Sequence, residues 1–350
     1  MIALLVAAAM IGEVSQPGPA GRVTDVAQGQ GFAGMILLSE AGQVRLERGF
    51  GKRVPQRFDR DPMASDFQAG DAWRWASVTK QITATIAMQD VAAGRLDLDA
   101  PITRYLPGFK GPTGSRITVR MLLGHTSGLP DSNAGNGAAF RPGARLMPDA
   151  LCAGPVRDQP GKSFHYDNCD YIVAGRVLEA VNRKPYAQLL AERITRPLGM
   201  ASVRLAGPHI GGNVGGKPEA PVNLAAYGAA GAITGNIRDL WRFDQALIDG
   251  RLLPAKARAT MWEGRPHHGH AALGQWAYTV PLKFCDQPQR IIERRGAIGG
   301  VQVRNYILPE RNIVLIAMTN RDDTDFGELW QGAGLGHALL SAAACQGVDP

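Results

Sequence analysis

Lysine is scarce in this 350-residue chain: of 38 cationic side chains, eight are Lys and the rest Arg. No run of Lys or Arg is long enough to form a basic arm. The net charge of +7 is spread along the sequence, and nothing marks nucleic acid as a partner. At most, the basic balance gives a mild attraction to anionic envelope polymers. Nor does any apolar stretch reach the roughly 20 residues that a membrane-spanning helix needs, so no integral span is expected. The longest apolar opening is residues 1–11, MIALLVAAAMI, the length of a signal-peptide core but without a basic segment before it or a clean cleavage site after it. Residues 1–22 therefore read as a possible signal peptide, and otherwise as a short first helix packed on a sheet. Low-complexity linkers and internal repeats are also missing, so residues 23–350 read as one domain with ample length for a core.

Cysteine is limited to Cys152, Cys169, Cys285 and Cys345, an even number that suits disulfides in an exported chain. Cys152 and Cys169 flank a Pro160-Gly161 turn and are the candidate bridge. The pairing of Cys285 and Cys345 stays open, and four buried free thiols are the alternative.

What the chain does have is concentrated at residues 75–80, WASVTK. Ser77 and Lys80 stand three apart at the start of a segment in which, up to Gly94, Lys80 and Asp90 are the only formal charges. The segment reads as a buried helix that stops at Gly94. Residues three apart share a helix face, so hydroxyl and amine can meet. An ammonium in an apolar wall loses proton affinity, and a neutral amine beside a serine is a base beside a nucleophile. With ten serines and eight lysines, about 0.2 chance Ser-x-x-Lys matches are expected, and Ser77–Lys80 is the only one. The plain alternative is a capping serine and an ion-paired lysine.

Two later features join it. Tyr166-Asp167-Asn168 follows the Pro-Gly turn and leads into a helical pattern at 171–181. Arg294-Arg295-Gly296-Ala297 lies between strand-like runs at 290–293 and 301–308. In this order the three motifs resemble those of the penicillin-recognising serine hydrolases. The similarity is greatest to class C β-lactamases, D-alanyl-D-alanine carboxypeptidases, D-aminopeptidases and the β-lactamase-like esterases. Residues 32–51, 94–101, 105–107, 118–130 (TVRMLLGHTSGLP), 193–200 and 231–240 also resemble family segments, in the family's order.

Strand-like alternation runs through 33–39 and 43–49 and returns at about 275–283, 290–296, 300–308 and 311–319. Helical patterns occupy 239–248 and 326–344, and residues 96–234 are helical or loop-like. The expected class is α+β, an antiparallel sheet flanked by helices with an inserted helical lobe, as in the β-lactamase/transpeptidase-like fold. The sheet parts are about 23–95 and 235–350, the lobe about 96–234, and the cleft lies between them.

The resemblance implies roles. Ser77 attacks a carbonyl, Lys80 holds or takes its proton, and Tyr166 relays protons to leaving group and water. Asn168 orients Lys80 and binds the substrate amide, and the backbone N–H groups of Ser77 and Ala297 hold the oxyanion. Where the family has Lys-Thr-Gly or His-x-Gly, this chain has Arg294-Arg295-Gly296. The spacing to Gly299-Gly300 and strand alternation turn Arg294 to the cleft, with Arg295 as the alternative one register away. An arginine there keeps a charge that can grip a substrate carboxylate, but it cannot become neutral and the threonine hydroxyl is lost. Efficient β-lactam hydrolysis is then not expected. The implied substrate is a small ester or amide, or a peptidoglycan-derived peptide, with no cofactor. A periplasmic or secreted setting follows if residues 1–22 are a signal peptide, and a cytoplasmic one if they are not.

Two other functions compete: a penicillin-sensor-like protein that acylates and turns over poorly, and a metal-dependent amidohydrolase built on His267, His268 and His270. The histidines lack a partnered carboxylate, so no metal site is assigned. His125 is read as holding a loop, His165 as structural, Trp73 and Trp75 as core or wall, and Asp131 as a solvated turn acid.

Overall fold

Four of the apolar runs and the two strands flanking them assemble one antiparallel sheet. The computed structural model describes residues 18–53, 65–109, 113–130, 138–144 and 148–345. The strands are β1 (Gly34–Glu40), β2 (Gln43–Phe50), β8 (Trp276–Val280), β9 (Gln289–Ile298), β10 (Val301–Leu308) and β11 (Ile313–Thr319), in the order β2-β1-β11-β10-β9-β8. The first and last strands thus pair inside the sheet, where β1 meets β11 from Met35–Met318 to Glu40–Ile313. Both central strands are apolar at almost every position because both sheet faces are covered. Met35, Leu37, Ile316 and Met318 pack under α2 (Thr79–Ala92) and α8 (Ile237–Ile248). Ile36, Leu38 and Leu315 face the other way, onto α1 (Pro19–Gly29) and α10 (Gly334–Ala344). Edge strand β2 alternates charged and half-buried residues, which suits a strand with one free side.

A smaller sheet joins β3 (Trp73–Arg74) to β7 (Ile233–Gly235) and β4 (Arg204–Leu205), and β5 (Asn213–Val214) pairs with β6 (Lys217–Pro218) nearby. The β3–β7 contact ties the stretch before Ser77 to the end of the lobe. The lobe carries α3 (Val119–Leu123), α4 (Pro148–Cys152), α5 (Asn168–Asn182), α6 (Tyr186–Leu190) and α7 (Gly228–Gly231). Helix α9 (Ala255–Met261) follows α8. α2 runs through the centre, with only Gln89, Val91 and Ala92 not buried, and it ends where Gly94 adopts φ +69°. The short helix α7, with the sequence GAAG, carries no bulky side chain and packs closely on α2 and α5.

The α+β arrangement with a helical lobe agrees with the expectation, but two helix boundaries differ. The last helix begins at Gly334, not near 326. Gly327 and Gly332 take φ of +65° and +69°, which the interior of an α-helix does not admit, and a short 3-10 turn at Leu329–Gln331 stands there instead, with the helix starting only at Gly334. Helix α5 starts three residues before the expected 171 because Asp167 caps it, its Oδ1 accepting the Cys169 N–H at 2.6 Å. The possible signal segment lies mostly outside the described residues, and its last four residues open α1, whose Arg22 Nε donates to Ala342 O at 3.1 Å.

Both pairs of cysteines are bridged. Cys152–Cys169, with Cα atoms 5.2 Å apart, ties α4 to the first turn of α5, and Cys285–Cys345 ties the β8–β9 connection to the end of α10. Intact-mass analysis after alkylation without reductant is expected to find no modified cysteine. Removing the 17-residue bridge by Cys152→Ser/Cys169→Ser should cost about 3 kcal/mol of unfolding free energy in the chain-entropy relation, read from chemical denaturation. Four alkylated cysteines would overturn both pairings.

Candidate active site

Ser77 sits in a single 3-10 turn, Ala76–Val78, that runs directly into α2. The residue before it, Ala76, is held at φ +48°, a left-handed conformation unusual for a residue with a Cβ and the kind of strain that packed surroundings must enforce. Those surroundings are tight: a Cβ on Gly296 of β9 would run into the Trp75 carbonyl. Only a glycine lets β9 come this close to the serine turn.

Around the Ser77 hydroxyl the expected groups converge. Tyr166 Oη donates to Ser77 Oγ at 2.7 Å, and Lys80 Nζ approaches the same oxygen at 3.2 Å. Lys80 is fully buried, with its other protons directed to Asn168 Oδ1 at 2.7 Å and Ala230 O at 2.8 Å. Arg294 Nη2 donates to Tyr166 Oη and its Nε to the Ser77 carbonyl, both at 2.7 Å. Ser77 and Tyr166 are half-buried, so the reactive oxygens are reachable while both cations lie behind them.

Electrostatics follow from that layering. Burial lowers the Lys80 pKa, the Tyr166 phenolate opposes this, and the Arg294 charge lowers it further. For Tyr166, burial alone would raise the pKa. The Arg294 and Lys80 charges, with the Ser77 hydrogen bond, outweigh it and bring the phenol down to about 8. The serine therefore has two candidate bases, an amine and a phenol, each more easily deprotonated than in water.

Arg294 is the arginine on the cleft side, and Arg295 points to the other face, where its guanidinium pairs with Glu293 at 2.8 Å and Glu328 at 2.7 Å. Their order along the strand is fixed by the β9–β10 hairpin. Ile298 pairs with Val301 across the two-residue turn Gly299-Gly300, with Gly299 at φ +56°. Residues flanking such a turn form the hydrogen-bonded pair, so Ala297, opposite Gln302, is a non-hydrogen-bonded position. Its N–H therefore points off β10 toward the open edge of β9, which β8 does not reach beyond Glu293. Glu219 locks this turn: it accepts from Gly300 N at 3.1 Å and Gly212 N at 2.7 Å and pairs with buried Arg74 at 2.5 Å. Glu219 and Arg74 carry no motif in sequence, and 145 residues separate them.

The remaining sequence candidates divide. His125 does hold a loop: its carbonyl accepts His165 N–H at 2.8 Å and the Thr126 carbonyl accepts Gly161 N–H at 2.7 Å, so the His-Thr-Ser run braces the segment that delivers Tyr166. Its ring also lies 4.5 Å from that of Tyr166, and Asp170 Oδ2 stands 2.8 Å from its Nδ1. Burial, with Lys80 and Arg294 nearby, holds His125 well below the usual range, and burial pushes Asp170 well above its own. Ser127 Oγ donates to the same carboxyl. His165 faces Asp158 at 3.4 Å on the rim. Trp73 and Trp75 are buried, and Trp75 Nε1 donates to Gly235 O at 3.0 Å. Among the described residues no three His, Cys, Asp or Glu side chains are placed to hold a metal, and His267 and His268 contact one another in an open loop. Asp131 lies outside the described residues. Trp276 gave no signal in sequence beyond its place in a strand, yet its ring lies 6.0 Å from that of Tyr166 and 5.0 Å from the Arg294 guanidinium.

A strained serine turn, a buried lysine one helical turn on and a phenol from a second lobe make up a serine hydrolase site. The chain belongs to the Beta-lactamase family, whose sequence description matches residues 20–337. It is 29% identical to the D-alanyl-D-alanine-carboxypeptidase/endopeptidase AmpH of Escherichia coli (strain K12), over 87% of this chain and 84% of that protein. Among solved structures it is similar to a D-stereospecific amidohydrolase from Streptomyces sp., at 26% identity and TM-score 0.71, covering 94% of this chain and 99% of that one. A D-amino acid amidase from Ochrobactrum anthropi SV3 shares the fold at 24% identity and TM-score 0.73, over 93% and 97% of the two chains.

Ultraviolet difference spectra of the protein against Tyr166→Phe should show one phenol titrating at about pH 8. Arg294→Ala should move that midpoint up toward the ordinary tyrosine value near 10, because the strongest stabiliser of the phenolate is gone. A midpoint already near 10 in the unaltered protein would show that the cations do not act on this phenol.

Proposed function

We propose that this serine hydrolase cleaves a small ester or amide through an acyl-enzyme on Ser77. The observation that carries the reading is the placement of one hydroxyl between two bases, Tyr166 Oη at 2.7 Å and Lys80 Nζ at 3.2 Å. Ser77 Oγ attacks the substrate carbonyl as its proton passes to the Tyr166 phenolate or to the neutral Lys80 amine. The tetrahedral oxyanion is held by the N–H groups of Ser77 and Ala297. The leaving amine or alcohol departs with the proton held by Tyr166. Water then attacks the acyl carbon, giving its proton to Tyr166, and Ser77 is released as the hydroxyl. Asn168 Oδ1 keeps Lys80 Nζ directed at the serine, and the same side chain offers its amide to the substrate.

The substrate class proposed is an acyl group on a D-amino-acid peptide of peptidoglycan origin, a carboxylic ester or a β-lactam. The names of AmpH and of the Streptomyces amidohydrolase support the first. The exported setting proposed with it suits two disulfides, which persist outside the reducing cytoplasm. One expected role changes. Arg294 has its Nη2 on Tyr166 and its Nε on Ser77 O, and is 1% exposed. Its charge is directed first at the phenol, so its part in catalysis does not depend on a substrate carboxylate.

Labelling with a fluorophosphonate and a fluorescent penicillin tests the nucleophile. Ser77→Ala should abolish both labels and all turnover, Lys80→Ala should be nearly as severe, and the double variant little worse than either, because the two act as a unit. Continued labelling of Ser77→Ala would end the proposal. Burst kinetics separate turnover from a sensor, which stops after one equivalent. Arg294→Ala should lower kcat/KM by about ten- to a hundredfold for uncharged and carboxylated esters alike. A loss confined to carboxylated substrates would return Arg294 to the role of carboxylate grip.

A further inference from the structure

Trp276 stands at the sheet edge where the two arginines of β9 diverge. Successive strand residues face opposite ways, so Arg294 lies on the α2 face and Arg295 on the α1/α10 face. Trp276, opposite Glu293 in the β8–β9 ladder, touches both: its ring centroid is 5.0 Å from the Arg294 guanidinium carbon and 5.4 Å from that of Arg295. Arg295 continues outward onto Trp330, 4.9 Å away and 54% exposed. Inward, Arg294 lies 5.2 Å from the Tyr166 ring, and Lys80 Nζ lies 5.0 Å from that same ring. Cations and rings thus alternate from Lys80 through Tyr166, Arg294, Trp276 and Arg295 to Trp330.

The charges along this line are not equivalent. Arg295 is neutralised by Glu293 and Glu328, the former also accepting from Tyr278 Oη. Among the described residues no carboxylate pairs with Arg294, whose partners are a phenol and a peptide carbonyl. A guanidinium in that position is drawn toward water, and the half-buried Trp276 ring closes the side of it that faces the sheet edge.

We propose that Trp276 is a positioning residue for the hydrolysis: held against Arg295, it keeps the Arg294 guanidinium dry and directed at the Tyr166 oxygen. The inference rests on the acyl-enzyme reading for catalysis, but the geometry it describes concerns the phenol and can be read without any substrate. An indole face is the strongest of the aromatic partners for a cation, and a desolvated contact is worth more than an exposed one. Without it, water reaches the guanidinium and the side chain gains freedom to leave the phenol. The phenolate then loses its main stabiliser.

The test compares Trp276→Ala, Trp276→Phe and the unaltered protein. Trp276→Ala should lower kcat about ten- to thirtyfold, with KM changed less than about twofold, because substrate binding is left alone. The Tyr166 midpoint, read by phenolate absorbance against a Tyr166→Phe background, should rise by about one unit. Trp276→Phe, which keeps a ring face, should recover most of both. An unchanged or lowered midpoint with unchanged kcat, whatever happens to the melting temperature, would overturn the proposal and leave Trp276 a packing residue. Equal losses in the Ala and Phe variants without a midpoint shift would overturn it as well. Because the phenol titration needs no turnover, it stands even if Ser77→Ala shows that the acyl-enzyme reading is wrong.

Discussion

The structure depends on one costly act, the burial of the Lys80 ammonium at 0% exposure in the middle of the molecule. Burying an ion costs several kcal/mol unless its protons are satisfied and its charge is answered. Here the answer is oxygen without charge: Asn168 Oδ1, Ala230 O and Ser77 Oγ. Each comes from a different part of the chain, so α2, the start of α5, α7 and the serine turn must be in place together. A carboxylate in the same position would restore the ammonium's proton affinity and remove its use as a base. Amide and carbonyl partners hold the group without pinning its proton.

The same logic extends to the phenol. Tyr166 stands directly against both buried cations, and they draw its pKa down to about 8. Two other acids at similar depth, Asp170 and Asp244, are pushed upward by burial because their partners are neutral or weakly acting. The interior therefore shifts its acids by neighbour: cations draw the phenol's pKa down, and burial beside amides and hydroxyls pushes the two carboxyls up. The buried His125–Asp170 pair packs on the phenol ring and braces Tyr166.

Close backbone approach is the second constraint. The serine turn, the β9 edge and the loop carrying Glu219 meet where Gly296, Gly299 and Gly300 leave no room for a side chain. The Arg74–Glu219 pair holds that junction closed, and Arg74 stands in β3, three residues before the nucleophile. The strain at Ala76 persists because these contacts surround it.

Much of this was legible in the chain. Ser77, Lys80, Tyr166, Asn168 and Arg294 could be singled out because each lies in a short motif whose residue types serve a chemistry, and local spacing sets helix face and strand side. The sheet strands were readable from apolar periodicity, and Gly94 marked the end of α2. The C-terminal helix was misjudged because its apolar pattern says nothing of the left-handed glycines Gly327, Gly332 and Gly334. Trp276, Glu219, Arg74 and Asp170 act through partners tens to hundreds of residues away, and no local pattern encodes such a meeting. So the sequence alone determined which groups can react, since side-chain chemistry and short spacing are local properties. The tertiary structure decided their charge states and aim, including the turn of Arg294 toward the phenol, because burial and Coulomb interactions depend on every element packed around them.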